Sequence, residues 1–235
     1  MHFCLTSRHV AKQFYTSGKD VYERLWKMYH KIRTIQPRNC ITIESVHIDD
    51  VALLGARPTA RLRTKQEVRV DLKLGPVGSA PRVSSSTELL QLVRYGTPLL
   101  RYSSTVSQTP WGPRPCRCVL AFLVDFHDAG YCHRDIRLDN VVRCFNRYLV
   151  IDLEVAGPFG ERVFWHSNTL PPDVAAGTRG FDPLDDLWQL GNLIRRVELA
   201  GAQDGVARQV YDMAGRLLQR DIPSATAALN VLSDL

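Results

Sequence analysis

A dense group of charged side chains follows an apolar stretch in the middle of the chain. Residues 131–140 read YCHRDIRLDN and come directly after CVLAFLVDFHDAG at 118–130. Hydrophobic residues recur at helical spacing in that stretch, and Gly130 is a typical helix stop, so we predict a helix over 118–129. A turn that carries this much charge after a buried helix either faces water or meets a charged ligand. The residues that follow the turn favour the second interpretation.

A β-hairpin is predicted immediately after the charged turn. Two apolar runs, VVRCF and YLVID, flank a predicted two-residue turn at 146–147. In that register Val141 opposes Asp152, and Asn140 lies beside Asp152 with Cβ atoms on the order of 5–8 Å apart. An amide oxygen and a carboxylate at that distance can share Mg²⁺, which prefers oxygen ligands and tolerates bound phosphate.

Two further side chains of the turn extend this interpretation. Asp135 lies on the turn that leads into the hairpin, where it could accept a proton from a hydroxyl while the metal holds phosphates. Arg137, two residues later, could neutralise charge on a phosphoryl group in transfer. The charged turn therefore predicts a metal nucleotide as its ligand.

Composition limits the class of protein without deciding the function. The chain has 235 residues, 45% of them hydrophobic, which suffices for one sizeable core or two small lobes. Its net charge of +6 fits a phosphate-bearing substrate, and since the arginines form no aromatic-interleaved patch, no specific nucleic acid is expected as a partner. The six cysteines contain no CxxC pair, which argues against a zinc site or a disulfide framework. Without an apolar run of about 20 residues or a signal peptide, we expect an intracellular protein, cytoplasmic or nuclear, with no membrane span.

Strand patterns dominate the front of the chain and helix patterns the back. Strands are predicted over 9–15, 40–54 and 66–74, and helices over 19–33, 87–94, 118–129 and from Asp182-Pro183 onward. This order predicts an α+β fold with two lobes, 1–78 and 79–235. Residues 95–117 contain four prolines and no periodicity, so they are predicted to be a disordered insertion.

The charged turn and hairpin together resemble two protein kinase motifs. HRDIRLDN followed by VIDLE is similar to the catalytic loop H-R-D-x-x-x-x-N and to the metal-binding D-F-G. The resemblance implies that Asp135 is the catalytic base and that Asn140 and Asp152 are magnesium ligands. It implies structural roles for His133 and Arg134. It covers roughly residues 9 to 232 and is closest to divergent kinase-like domains of filamentous fungi and to Crinkler-type effector domains.

The same resemblance extends along the rest of the second lobe. TLPPDV, which contains Asp173, resembles the A-P-E end of an activation segment. DLWQLG resembles the central D-x-W-x-x-G helix, so Asp186 is expected to brace the backbone of the catalytic loop. Together with the turn, these motifs imply a two-lobed protein kinase-like fold with a reduced first-lobe sheet and a helical second lobe.

In the first lobe, HVAKQF resembles the V-A-I-K strand. The resemblance gives Lys12 the phosphate-binding and catalytic role. No lysine occurs after Lys73, so the role must fall to a lysine in the first third of the chain. Lys73, which also lies on a predicted strand, is the other candidate for this role. Glu23, on the following helix, would be the ion-pair partner of Lys12. LGPVG would be the hinge whose backbone meets adenine, with the contributing residues Pro76, Val77 and Gly78.

Three features depart from the kinase pattern. Only eleven residues precede Lys12 and none is glycine, so the glycine-rich loop and its two strands are expected to be absent. Leu153 and Glu154 stand where D-F-G has phenylalanine and glycine, and Glu154 could repel phosphate or reach the metal. No arginine in an RP-x-A motif is available to pair with Asp173.

The function expected from these patterns is ATP-dependent transfer of the γ-phosphate to a protein hydroxyl, as in a serine/threonine protein kinase with Mg²⁺ as cofactor. Two alternatives stay open. The missing phosphate loop favours a pseudokinase that works as a binding module. A small-molecule kinase of the aminoglycoside or choline type also carries H-x-D-x4-N and a later I-D.

Overall fold

The chain forms two compact units in a computed structural model. The described residues are 2–5, 9–16, 19–40, 42–53, 63–73, 112–144, 147–163, 169–197 and 205–233. One unit takes in Met1–Gln36 and Ile41–Arg94, and the other Pro37–Cys40 and Tyr95–Leu235. The predicted lobe boundary at residue 78 and the predicted helix 87–94 lie outside the described residues.

In its described residues, the first unit has a four-stranded antiparallel sheet and one helix. Its elements are β1 (His2–Leu5), β2 (His9–Thr16), α1 (Lys19–Ile35), β3 (Thr42–Leu53) and β4 (Arg63–Lys73). The strand order is β1-β2-β4-β3, and α1 packs on β3 and β4. β1 pairs with the strand of Lys12, so one strand precedes that lysine where none was expected. Its four residues are too few for a clear alternating pattern.

The second unit is mainly helical. Its helices are α2 (Pro113–Asp128), α3 (Pro172–Ala175), α4 (Pro183–Arg196), α5 (Gly205–Leu218) and α6 (Ala225–Ser233). Two strand pairs lie between α2 and α3: β6 (Val141–Cys144) with β7 (Arg147–Val150), and β5 (Tyr131–Cys132) with β8 (Gly157–Pro158). Helix α4 packs on α5, and α2 packs on α6. Among the helices of the described residues, none combines the length and the apolar character needed to cross a bilayer.

Helix α2 begins earlier than the sequence pattern predicted. Residues 113–117 were assigned to a disordered insertion, but they form the first turn of the helix, after Gly112 as its N-cap. Proline is compatible with the first helical positions because their backbone N–H groups have no partner within the helix. Pro115 and Cys116 are buried, so packing also holds this turn in place.

The short segment 37–40 is tied to the second unit. The guanidinium of Arg38 donates to both carboxylate oxygens of Asp125 on α2, and its backbone N–H also donates to that carboxylate at 2.7 Å. The carbonyl of Asn39 accepts from the N–H of Val150 at 2.8 Å. Burial raises the pKa of Asp125, but the hydrogen bonds and charge of Arg38 outweigh burial and leave that pKa below its ordinary value.

Two glycines meet where the chain enters α4. The N–H of Gly160 donates to the carbonyl of Phe181 at 2.8 Å, and the N–H of Phe181 donates to the carbonyl of Glu161 at 3.1 Å. A Cβ atom built on Gly180 would lie 2.0 Å from the backbone oxygen of Gly160. Only a residue without a side chain allows this approach, since the obstacle is backbone.

We therefore expect Gly180→Ala to destabilise the protein by about 1–3 kcal/mol, because the added methyl group must displace backbone. Gly205→Ala is the matched control. A Cβ atom there has no neighbour within 4 Å, so the expected change is within about 0.5 kcal/mol. Urea unfolding followed by circular dichroism measures both. Equal stability of the two variants would contradict the close approach at Gly180.

Candidate active site

A buried carboxylate holds the backbone of the charged turn. Asp186, on α4, is fully buried, and its two oxygens accept from the backbone N–H groups of His133 at 2.9 Å and Arg134 at 2.8 Å. The ring of His127, on α2, lies 3.0 Å from the same carboxylate. This is the backbone contact that the kinase resemblance implied for Asp186. A central helix thus sets the position of the turn through one side chain.

His133 connects the turn to the end of the hairpin. Its ring nitrogen Nε2 lies 3.0 Å from the carbonyl of Ile151, and Nδ1 accepts from the N–H of Asp135 at 3.2 Å. The side chain is fully buried and packs edge-on against Phe122 at 5.8 Å between ring centroids. These contacts describe a structural histidine whose ring joins two segments of the site.

Asp135 and Asn140 lie in direct contact. The side-chain nitrogen of Asn140 donates to the carboxylate of Asp135 at 2.7 Å and to its backbone carbonyl at 2.9 Å. Arg137 lies 3.6 Å from the same carboxylate and is 44% exposed. The hydroxyl of Thr169 lies 3.4 Å from the other oxygen, Oδ1. One oxygen of the Asp135 carboxylate thus accepts from Asn140, and the other lies near the hydroxyl of Thr169.

The hairpin has a different register from the predicted one. Val141 pairs with Val150 and Cys144 pairs with Arg147, whereas a turn at 146–147 would pair residue 145 with Tyr148. The prediction that Val141 opposes Asp152 is therefore wrong by two residues. The prediction followed turn propensity, which favoured Asn146-Arg147 as the turn. Packing of the buried residues Val141, Leu149 and Val150 sets the observed register instead.

Asp152 nevertheless stays next to Asn140 along the backbone. The N–H of Ile151 donates to the carbonyl of Asn140 at 2.9 Å, and Asp152 is the next residue. Asp152 has φ 66° and ψ 63°, a left-handed conformation that is uncommon for residues with a side chain. It precedes a 3₁₀ turn in which Leu153 is buried and Glu154 is half-buried. The shared metal site of Asn140 and Asp152 stays a prediction.

Arg134 is buried and paired with a residue that the sequence did not single out. Its guanidinium donates to the carboxylate of Glu161 at 2.7 Å and to the carbonyl of Pro158 at 2.5 Å. A Cβ atom on Gly157 would lie 2.5 Å from both partners of this ion pair, so glycine provides the necessary space. The pair spans 27 residues of sequence, and a lone glutamate in a loop offers no signal for it.

Asp173 lies in a network of ion pairs with two arginines. Arg179 donates to Asp173 at 2.6 Å and to both oxygens of the buried Asp185. Arg220 donates to Asp185 at 2.7 Å and lies 3.8 Å from Asp173. Asp182, the N-cap of α4, also contacts Arg179 at 3.1 Å. Neither arginine occurs in an RP-x-A sequence, so no short motif marks either one as a partner of Asp173.

The ion pairs of this network shift protonation equilibria. The hydrogen bond from Arg179 is the main cause that holds the pKa of Asp173 below its ordinary value, and the charge of Arg220 adds to it. The same network raises the pKa of Arg179, chiefly through its hydrogen bonds to Asp185. The folded protein therefore favours the ionised form of Asp173 more than the unfolded chain does.

This difference predicts how Asp173→Asn responds to pH. A carboxylate with a lowered folded pKa stabilises the fold above its unfolded value, about 3.9, and loses that contribution as the pH falls through the folded value. We expect the variant to be less stable than the wild type at pH 7 and the difference to shrink below about pH 4. Urea unfolding at several pH values measures it. Asp212→Asn, an exposed carboxylate of α5 outside the network, is the control, and a pH-independent difference for Asp173→Asn would contradict the ion pair.

The site residues predicted in the first lobe are described only in part. Lys12 lies in the middle of β2, opposite Phe3 and Val70, and Lys73 ends β4. Glu23 lies on α1. The structure describes the backbone at these positions, so a pairing of Lys12 with Glu23 stays a prediction. The predicted hinge residues, Pro76, Val77 and Gly78, lie outside the described residues.

A second group of potential ligand atoms surrounds Asp186. One atom each of His127, Cys132 and Asp186 lie within 4.8 Å of one another. Burial is the main cause that raises the pKa of the Cys132 thiol. Asp186 already accepts hydrogen bonds from two backbone amides. We interpret this group as a structural contact of the turn.

Comparison with known proteins adds no relative. A scan against protein-family models finds no match, and a search of curated proteins finds none that resembles the chain. The functional interpretation therefore depends on the geometry of the turn and on the motifs in its sequence.

Proposed function

We propose that the protein is an ATP-dependent phosphotransferase that transfers the γ-phosphate to a protein hydroxyl, in the manner of a serine/threonine protein kinase. The observation that carries the proposal is the contact between Asp135 and Asn140, on a turn that a buried carboxylate holds in place. The neighbouring residues Arg134 and Asp152 both have positive φ values, 72° and 66°. Backbone strain of this kind clusters at functional sites, because the surrounding structure must maintain it.

The donor atoms near the turn fit a magnesium nucleotide. Asn140 and Asp152 offer amide and carboxylate oxygens, which are the ligands that Mg²⁺ prefers. Bound Mg²⁺ would neutralise phosphate charge and orient the transferred group. Arg137, which is 44% exposed, adds a positive charge 3.6 Å from the carboxylate of Asp135. These residues match the chemistry of a metal nucleotide better than that of a soft metal.

Asp135 has the role of general base in this proposal. Its carboxylate accepts the proton from the acceptor hydroxyl as the oxygen attacks the phosphoryl group. The hydroxyl of Thr169, 3.4 Å from Oδ1, supports this role because it places an alcohol beside the oxygen that would take the proton. Asn140 occupies the other oxygen, Oδ2, and so keeps the carboxylate in one orientation.

The kinase resemblance also implies roles for residues of the first unit. Lys12 would bind the phosphates and Glu23 would pair with it, while the hinge at 76–78 would contact adenine. The antiparallel sheet with Lys12 in the middle of a strand supports this assignment, since its neighbours on both sides fix the position of the backbone. Glu154, where D-F-G has glycine, supports a pseudokinase instead, and the experiment below separates the two functions.

The first expected result concerns binding of the nucleotide. The full chain should gain thermal stability with Mg-ATP, and Asp152→Ala should remove this gain because it removes a carboxylate ligand. Differential scanning fluorimetry with ATP, with and without Mg²⁺, measures it. Asp139→Asn, an exposed carboxylate of the same turn, is the control and should keep the gain. A wild type that shows no response to Mg-ATP would exclude both the kinase and a nucleotide-binding pseudokinase.

The second expected result concerns transfer. Asp135→Asn should bind Mg-ATP as the wild type does but lose transfer by roughly 10²–10⁴-fold, because the amide cannot accept the proton. Incorporation of labelled γ-phosphate into a general protein acceptor such as casein measures the rate. Binding without transfer in the wild type would identify the pseudokinase, and transfer to aminoglycosides or choline in place of protein would identify a small-molecule kinase.

A further inference from the structure

One buried amide on α4 contacts the backbone on both sides of Asp135. Gln189 is 1% exposed, and its side-chain nitrogen donates to the carbonyl of Arg134 at 2.9 Å. Its side-chain oxygen accepts from the N–H of Ile136 at 2.9 Å. The same nitrogen also donates to the carbonyl of Thr169 at 3.1 Å. Three backbone groups from two segments therefore depend on a single side chain.

The first two of these contacts determine the conformation of Asp135. The carbonyl of Arg134 belongs to the peptide unit before Asp135, and the N–H of Ile136 belongs to the unit after it. Each peptide unit is planar, so only two backbone dihedral angles at Asp135 relate one unit to the other. By holding both units, Gln189 restricts these angles and with them the direction in which the Asp135 side chain leaves the backbone.

The turn needs such a restraint because its backbone is strained. Arg134 has φ 72°, a conformation that a residue with a side chain adopts only when neighbouring contacts maintain it. Holding a carbonyl and an N–H group at once requires a side chain that both donates and accepts. A primary amide has that property, whereas a carboxylate only accepts and an apolar side chain does neither.

The third contact relates Asp135 to the segment that carries Thr169. The hydroxyl of Thr169 lies 3.4 Å from Oδ1 of Asp135, and its carbonyl accepts from the Gln189 side chain. One amide group thus restrains both partners of this approach. The side-chain amide of Gln189 thus sets the distance between the Asp135 carboxylate and the Thr169 hydroxyl, although it contacts neither of these two groups.

We infer that Gln189 is a positioning residue: its side-chain amide holds the peptide units on both sides of Asp135 together with the carbonyl of Thr169, and so aims the Asp135 carboxylate at the acceptor hydroxyl. The catalytic part of this inference rests on the proposed phosphotransferase function. The positional part does not, because the hydrogen bonds exist without a substrate.

Two variants of the full chain test the inference. Gln189→Met keeps the approximate size of the side chain and removes all three hydrogen bonds. Gln189→Glu keeps an acceptor for the N–H of Ile136 but loses the donors to Arg134 and Thr169. We expect kcat for phosphate transfer to fall by roughly 10- to 100-fold in both, because a small displacement of a catalytic group has that effect. The KM for ATP should stay within about twofold.

Two further measurements do not need activity. Amide hydrogen exchange at Ile136 should become faster in Gln189→Met, since that N–H loses its acceptor. The NMR signals of the Asn140 side-chain amide should shift in both variants, because the Asp135 carboxylate that accepts its hydrogen bond changes position. Ile194→Val, a buried change on the same helix, is the control for lost stability and should alter neither value.

The outcomes separate the two proposals. A wild type without phosphate transfer would defeat the proposed function, while the exchange rate at Ile136 and the Asn140 side-chain signals would still decide whether Gln189 positions the turn. If the wild type is active and both variants keep its kcat and its Asn140 side-chain signals, Gln189 only fills the core and the inference is wrong. If Gln189→Met does not fold, Gln189→Glu decides by the same two readouts.

Discussion

The charged turn depends on one buried carboxylate. Asp186 is fully buried on α4 and accepts from the backbone amides of His133 and Arg134. A buried charge without partners would be costly, but charge-assisted hydrogen bonds from two amides offset much of that cost. The contact spans more than 50 residues of sequence and ties the turn to a well-packed helix. The positions of the side chains on the turn therefore depend on the contact with Asp186.

The residues around Asp135 are restrained more than a loop usually is. Arg134 is held at its backbone by Asp186 and Gln189, and at its guanidinium by Glu161. His133 joins the turn to Ile151, directly before the strained Asp152. Catalytic groups must keep their geometry within a fraction of an ångström, and rigid surroundings of this kind provide that constancy.

Some of the site could be predicted because its contacts are local. Asp135 and Asn140 are five residues apart, so their meeting follows from one tight turn. The hairpin was predicted, but the predicted register was wrong. The burial of Val141 and Val150 determines the register more strongly than turn propensity does. The start of α2 at Pro113 was missed for a similar reason, since burial of Pro115 and Cys116 is invisible to periodicity alone.

The sequence by itself determined the longer strands and helices, the composition of the charged turn and the set of oxygen-bearing side chains near it. These are local properties, decided by periodicity, caps and residue chemistry. Only the tertiary structure decided the partners of the turn: Glu161 for Arg134, Gln189 for the backbone around Asp135, and two arginines for Asp173. Such contacts join segments far apart in the chain, and no local pattern encodes which polar side chain will be buried opposite which backbone group.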